Sequence, residues 1–156
     1  MKKITLTFSV IFLVSCSGES ENIDSQLINK NETFNWRLVT SWPKNYPGLG
    51  MAPERIADLV EEMSDGQMKI TVYGAEEQVP AFGVFDAVSS GSHQMGHSGG
   101  YFWKGKVPAA QFFTSVPFGL TADEINAWVN RGGGLELWRE IYAPFNIYPI
   151  PAGNTG

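Results

Sequence analysis

Phe34-Asn35-Trp36-Arg37-Leu38-Val39-Thr40 alternates apolar and polar residues at first and then becomes mostly apolar, as a strand does on entering a core. Outward from it the period changes. After the turn-rich loop Ser41-Trp42-Pro43-Lys44-Asn45-Tyr46-Pro47-Gly48, Pro53 suits a first helical turn and Glu54 favours the positive end of its dipole. Ile56, Leu59, Val60 and Met63 form an inward stripe at helical spacing, which Asp65-Gly66 stops. Met68-Lys69-Ile70-Thr71-Val72-Tyr73 is a second strand, ended by Gly74. Residues 79–90 read as a second helix, begun by Pro80 and ended by Gly91, with Val84, Phe85 and Val88 inward. Residues 93–97 form a short third strand leading into Ser98-Gly99-Gly100. Such β-α-β-α-β alternation predicts an α/β layer with a largely parallel sheet.

Further along, Thr121-Ala122-Asp123-Glu124 is a capping-box signature before Ile125, Trp128 and Val129. Gly132-Gly133-Gly134 breaks that helix, and 135–142 resumes with Leu135, Trp138, Ile141 and Tyr142 inward. Residues 145–150 are expected to form one more strand, which Pro149 and Pro151 restrict to an edge or a crossover. Ligands of parallel α/β sheets bind beyond the carboxyl ends of the strands. That rule puts Ser41-Trp42, Gly74-Ala75 and Ser98-Gly99-Gly100-Tyr101 on one rim.

Composition bounds the function. The 156 residues are 43% apolar, with ten Phe, five Trp and five Tyr, too aromatic for a chain that stays solvated. A net charge of −5 speaks against a nucleic-acid partner, which needs a basic face. A single cysteine excludes a disulfide scaffold.

That cysteine follows a leader. Lys2 and Lys3 precede a short apolar run, 4–14, with the proportions of a secretory signal; a bilayer span would need roughly 20 such residues. Leu13-Val14-Ser15-Cys16 resembles a bacterial lipobox, in which the cysteine becomes a lipidated N-terminus. Residues 1–16 are therefore expected to be a lipoprotein signal with Cys16 as the lipidation site, and the polar stretch 17–33 a flexible tether. The competing reading is an ordinary signal peptide cleaved elsewhere, with a chance cysteine. Residues 1–15 carry two lysines and no acidic group, so without them the charge becomes −7. A site for an anion must create its own local positive field.

No residue set assembles a reaction. His93 and His97 are four apart, but Gln94 stands where a zinc-protease helix needs Glu, and Gly96, Gly99 and Gly100 oppose a helix. No G-x-S-x-G elbow occurs, and His97-Ser98, as sequence neighbours, make a poor base and nucleophile. Glu61-Glu62 and Glu76-Glu77 read as solvated surface, and Gly132-Gly133-Gly134 lacks the lysine of a phosphate loop. Aromatics are the stronger signal. Tyr101-Phe102-Trp103 follow the glycine-rich loop, Trp42 lies on the neighbouring rim loop and Phe82 starts a helix. Together they can wall a small pocket, with exposed backbone N–H groups at Ser98, Gly99 and Gly100 as donors to an anionic oxygen. For Phe102 and Trp103 singly, simple core filling is the competing reading.

Four long segments carry a family likeness: Phe34-Asn35-Trp36-Arg37-Leu38-Val39-Thr40-Ser41-Trp42-Pro43, Val79-Pro80-Ala81-Phe82-Gly83-Val84-Phe85-Asp86-Ala87-Val88, Met95-Gly96-His97-Ser98-Gly99-Gly100-Tyr101-Phe102-Trp103 and Pro151-Ala152-Gly153-Asn154-Thr155-Gly156. In this order they resemble the substrate-binding proteins of TRAP (tripartite ATP-independent periplasmic) transporters, above all members for 2-oxo acids such as pyruvate. The resemblance runs from about Phe34 to the last residue. It implies a periplasmic-binding-protein-like (type II) fold of two α/β lobes that close on a carboxylate, for delivery to a membrane permease driven by an ion gradient. It makes residues 34–156 the first lobe, ending in the crossover, with the second lobe missing. Carried over, Tyr101 and its loop, Ser98, Gly99 and Gly100, face the ligand; Trp42 and Phe82 lie near the cleft; Asn154 begins the crossing.

The same resemblance puts the arginine that clamps the carboxylate, and the ligands of any accompanying cation, beyond Gly156. None of Arg37, Arg55, Arg131 or Arg139 matches that arginine. Half a site is thus expected, without a cofactor of its own, on a truncated chain that binds weakly and exposes an apolar sheet edge. The expected location is the periplasm, on a lipid anchor. Two other classes compete: a lipid-anchored envelope hydrolase with catalytic residues past Gly156, and a structural or adhesive lipoprotein.

Overall fold

In a computed structural model of the protein, residues 32–153 are described. The signal and lipobox with Cys16, nearly all of the expected tether, and Asn154 lie outside them. Strand β1 (Phe34–Thr40) stands between β2 (Met68–Tyr73) and β3 (Met95–His97), parallel to both. Parallel neighbours need crossovers, and helices α1 (Met51–Met63) and α2 (Val84–Ser89) supply them. The expected α/β layer with a parallel sheet is present.

Successive residues of β1 point to opposite faces, and both faces are covered. Leu38 packs with Ala57 of α1 and Val72 of β2. Val39 faces a larger core of Val84, Phe85, Ala87, Trp103, Val107, Ala110 and Tyr142. This two-sided burial explains why the strand loses its alternation after Arg37. Its first half, including Phe34 and Trp36, stays exposed.

Helix α1 differs from expectation in the face it buries. Pro53 and Ala57 are buried, Ile56 and Val60 are half-buried, and Leu59 and Met63 stand 41% and 77% exposed. Small side chains let the helix settle closely on the sheet, and three strands are too narrow to cover the rest of its apolar stripe. Asp65 and Gly66, both at positive φ, end it as expected.

The second crossover is shorter than the 79–90 expected. A 3₁₀ turn, Ala81–Gly83, comes first, and α2 covers only Val84–Ser89. Strand β3 starts at Met95 because the His93 N–H donates to the carbonyl of Ala87 (3.1 Å), tying the chain to the end of α2 instead of the ladder.

Helices α3 (Ala122–Arg131) and α4 (Gly134–Tyr142) follow two further 3₁₀ segments, Gly100–Trp103 and Pro108–Phe113. The capping box forms as read: the Thr121 hydroxyl caps the Glu124 N–H and the Glu124 carboxylate takes the Thr121 N–H at 2.8 Å. Phe113 is sandwiched between Trp128 (5.4 Å) and Trp138 (5.3 Å), which clamps α3 and α4 together. The strand expected at 145–150 does not form. Pro144 lies in a 3₁₀ turn, Ala143–Phe145, Asn146 turns left-handed, and Pro149 and Pro151 offer no N–H to a ladder. Phe145 and Ile147 still pack against the larger core, and the Phe145 carbonyl accepts from Ser89 Oγ at 2.7 Å.

Candidate ligand-binding rim

Parallel pairing brings the carboxyl ends of the three strands to one side, with Val39 opposite Tyr73 and Thr40 opposite His97. The ladder continues one step further, the Ser41 N–H donating to the His97 carbonyl at 3.1 Å. The Ala75 N–H then donates to the Trp42 carbonyl at 3.0 Å, tying the first rim loop to the second. All three loops expected on the rim are there.

Hydroxyls hold the rim together. Ser41, buried, donates from Oγ to the Ala81 carbonyl at 2.7 Å and lies 2.5 Å from Ser98 Oγ. Thr40 Oγ1 accepts from the Trp42 N–H (3.2 Å) and approaches His97 Nδ1 at 3.4 Å. Burial keeps the His97 pKa below its ordinary 6.5, so the ring is neutral at pH 7.

Above the hydroxyls runs a string of rings. Trp42 lies 5.0 Å from His97 and 6.2 Å from Phe102. Phe102 in turn meets Phe82 edge-on at 5.0 Å and Tyr101 at 4.5 Å. Phe82 is 67% and Tyr101 38% exposed, so the string ends in solvent-facing aromatics. Trp103 also meets Phe102, at 6.4 Å, but it is not part of the exposed wall. It is buried in the core, where its Nε1–H donates to the Tyr142 hydroxyl at 2.8 Å.

Gly99 and Gly100 are buried, contrary to the exposed backbone expected of them. A Cβ on Gly99 would stand 2.6 Å from the Tyr101 ring, and one on Gly100 2.5 Å from the Ala110 carbonyl oxygen. Both glycines are therefore places of close approach: the first lets Tyr101 fold back over the loop, and the second seats the loop on the 108–113 segment.

Among the described residues the rim loops carry few cations, Lys44 and the exposed Lys104 that follows Trp103. Lys44 on the first loop is paired with Glu77 at 3.6 Å. Arg37 donates to the Ser92 carbonyl, and Arg139 lies over Tyr148 at 4.4 Å. No group of three or more His, Cys, Asp or Glu among the described residues could hold a metal ion. His93 and His97 serve different partners, His93 Nδ1 lying 3.2 Å from Ser92 Oγ. The His97-Ser98 neighbours are likewise engaged separately, with Thr40 and Ser41.

What the rim offers is a shallow aromatic wall with neutral hydrogen-bonding groups at its base. The family of bacterial extracellular solute-binding proteins, family 7, matches residues 38–150, a span that holds every rim element just described. The chain belongs to that family. It is 44% identical over 145 residues to a monocarboxylate 2-oxoacid-binding periplasmic protein of Nostoc sp., a match covering 92% of this chain and 38% of that one. A TRAP periplasmic solute-binding protein of Pseudoalteromonas atlantica, solved with bound sodium and pyruvate, is similar at 47% identity and a TM-score of 0.78, over 80% of this chain and 38% of that one. Another from Colwellia psychrerythraea, with bound calcium and pyruvate, is similar at 43% identity, a TM-score of 0.78 and the same coverage. This family member thus spans about two fifths of the length of these relatives.

Ser41 stands on the rim as expected from its place after β1, and His97 is a histidine held at a strand end by Thr40, the plain alternative to a metal ligand; what the sequence does not indicate is the partner of each. The pairing of Thr40 with His97 is a fact of strand register, and no local pattern announces it.

Proposed function

We propose that the protein is the extracytoplasmic binding component of a TRAP transporter and captures a small monocarboxylate of the 2-oxo acid type, pyruvate being the first candidate. The observation that carries this reading is the ring string from Trp42 through Phe102 to Phe82 and Tyr101, at the carboxyl rim of a chain 47% identical to a pyruvate-bound relative. Aromatic walls suit the short carbon skeleton of such an acid, and neutral donors suit its oxygens. Tyr101, Phe82 and Trp42 are the proposed ligand-facing residues. Ser98, Gly99 and Gly100 support Tyr101, and Asn154 is assigned to the site on the family likeness alone.

The shortage of cations on the rim means that these residues would hold one side of the ligand, with the carboxylate clamp provided by other parts of a receptor of the relatives' length. Among the described residues no group of three or more His, Cys, Asp or Glu could hold a metal ion, and no role for the cations seen in the relatives is assigned to this stretch of chain. Titration calorimetry of the protein, at the full length of its relatives, with pyruvate and other 2-oxo acids tests the reading. Heat that saturates is the expected result, and none with any small carboxylate at millimolar concentration overturns it.

The proposed location is the periplasmic face of a membrane, with the thiol of Cys16 carrying the lipid. The leader ending Leu13-Val14-Ser15-Cys16 supports this. Labelling of cells with a clickable fatty acid should mark the wild type and not Cys16→Ser; an unlabelled wild type refutes the anchor.

A further inference from the structure

Counting protons along the rim singles out one more residue. A hydroxyl has a single proton to give. Ser41 gives its own to the Ala81 carbonyl (2.7 Å), so the 2.5 Å contact between Ser41 and Ser98 requires Ser98 to donate. Ser98 therefore has no proton left for an anionic ligand, and its part is to position the loop. Thr40 is 1% exposed, and its hydroxyl oxygen already accepts from the Trp42 N–H. Its proton needs an internal acceptor, and His97 Nδ1, 3.4 Å away, is the one in hydrogen-bonding range among the described residues. With Nδ1 accepting, the neutral ring carries its proton on Nε2, across the ring from β1. That ring stands against Trp42, at the foot of the aromatic wall.

We propose that His97 contacts the ligand, its Nε2–H donating a hydrogen bond to an oxygen of the small carboxylate bound at this rim. The assignment rests on the binding function proposed above and adds the residue that supplies a neutral donor where cations are scarce. It also gives Thr40 a role as a positioning residue, since the threonine fixes which ring nitrogen holds the proton.

Two substitutions separate the donor from the ring. Phe at 97 keeps an aromatic against Trp42 and has no N–H; Gln keeps an N–H near the position of Nε2 and has no ring. In the protein at the full length of its relatives, with pyruvate as the calorimetric probe, His97→Phe should bind about 10- to 100-fold more weakly, as for a lost hydrogen bond to a charged group. His97→Gln should stay within about fivefold of wild type. Wild-type affinity in His97→Phe, or equal losses in both variants, overturns the assignment while leaving the binding function intact. A wild type that binds no 2-oxo acid removes the binding function and this assignment with it. Nitrogen-15 correlation spectra of the imidazole give an answer that does not depend on ligand: the proton is expected on Nε2, and a proton on Nδ1 overturns the proposal.

Discussion

Ser41 Oγ lies 2.5 Å from Ser98 Oγ, joining the ends of two parallel strands that are 57 residues apart in the chain. The same oxygen donates to the carbonyl of Ala81, where the second crossover begins. One small side chain thus pins three rim segments. Ser41→Ala leaves both Ala81 O and Ser98 without their partner in a part-buried place, and should cost about 1–3 kcal/mol of stability. Ser98→Ala removes a single bond and should cost about 1 kcal/mol. Urea unfolding of the two variants checks the order; a Ser98→Ala loss as large as that of Ser41→Ala would contradict the direction of these bonds.

The pattern of strands and crossovers was legible because Leu38-Val39-Thr40, Asp65-Gly66 and the Thr121–Glu124 box each act locally, through period, turn and cap. Residues 145–150 were misread because their apolar content resembles a strand while Pro149, Pro151 and the left-handed Asn146 deny them a ladder. The α1 stripe was misread for a different reason: periodicity reports which face is apolar, and only the width of the sheet decides how much of it is covered. At the site, Trp42, Phe82 and Tyr101 could be picked out because they flank strand ends and glycines. The pairing of His97 could not, because its neighbour Thr40 is reached through register, and Trp103 fills core, the competing reading for it, against Phe85 and the hydroxyl of Tyr142.

Stability should fall on mild acidification. His93 is buried, with its Nε2 lacking a partner. That burial, and secondarily the Arg37 guanidinium, hold its pKa below 6.5, and burial does the same to His97. Below 6.5 the unfolded chain therefore binds more protons than the folded one, so stability rises with pH in this range. The full contribution is present above the unfolded value and is lost as pH falls toward the lowered folded values. Glu124, whose carboxylate is held below its ordinary 4.5 by the Thr121 backbone and hydroxyl, acts only in more acidic solution. Urea midpoints should accordingly drop between pH 7.5 and 5.5 in the wild type and drop less in His93→Leu. A level wild-type profile would refute this.

The Trp103–Tyr142 bond makes a sharper test of the core. Tyr142 is 3% exposed and its hydroxyl is the acceptor for Trp103 Nε1–H at 2.8 Å. Tyr142→Phe preserves the ring contacts with Phe85 and Trp138 but leaves a buried donor unpaired, at a cost of about 1–3 kcal/mol. Replacing both residues, Trp103→Phe with Tyr142→Phe, removes donor and acceptor together. In a double-mutant cycle the two losses should then be less than additive. Strict additivity would mean that the bond contributes nothing.

Phe118 is fully solvent-exposed and sits at φ 59°, a left-handed conformation that a bulky side chain adopts at a cost of about 1–2 kcal/mol. Phe112, Val116 and Leu120 are exposed on the same stretch of chain. Glycine takes the backbone conformation without that cost, though it loses more entropy on folding. The two effects nearly offset, so Phe118→Gly in this chain should change stability by about 1 kcal/mol or less while removing an aromatic from the surface. Binding of an apolar-surface dye should fall, and the concentration at which the chain begins to aggregate should rise. A loss well beyond about 1 kcal/mol would show that the ring packs against something in solution, and that the exposed stretch is a covered surface after all.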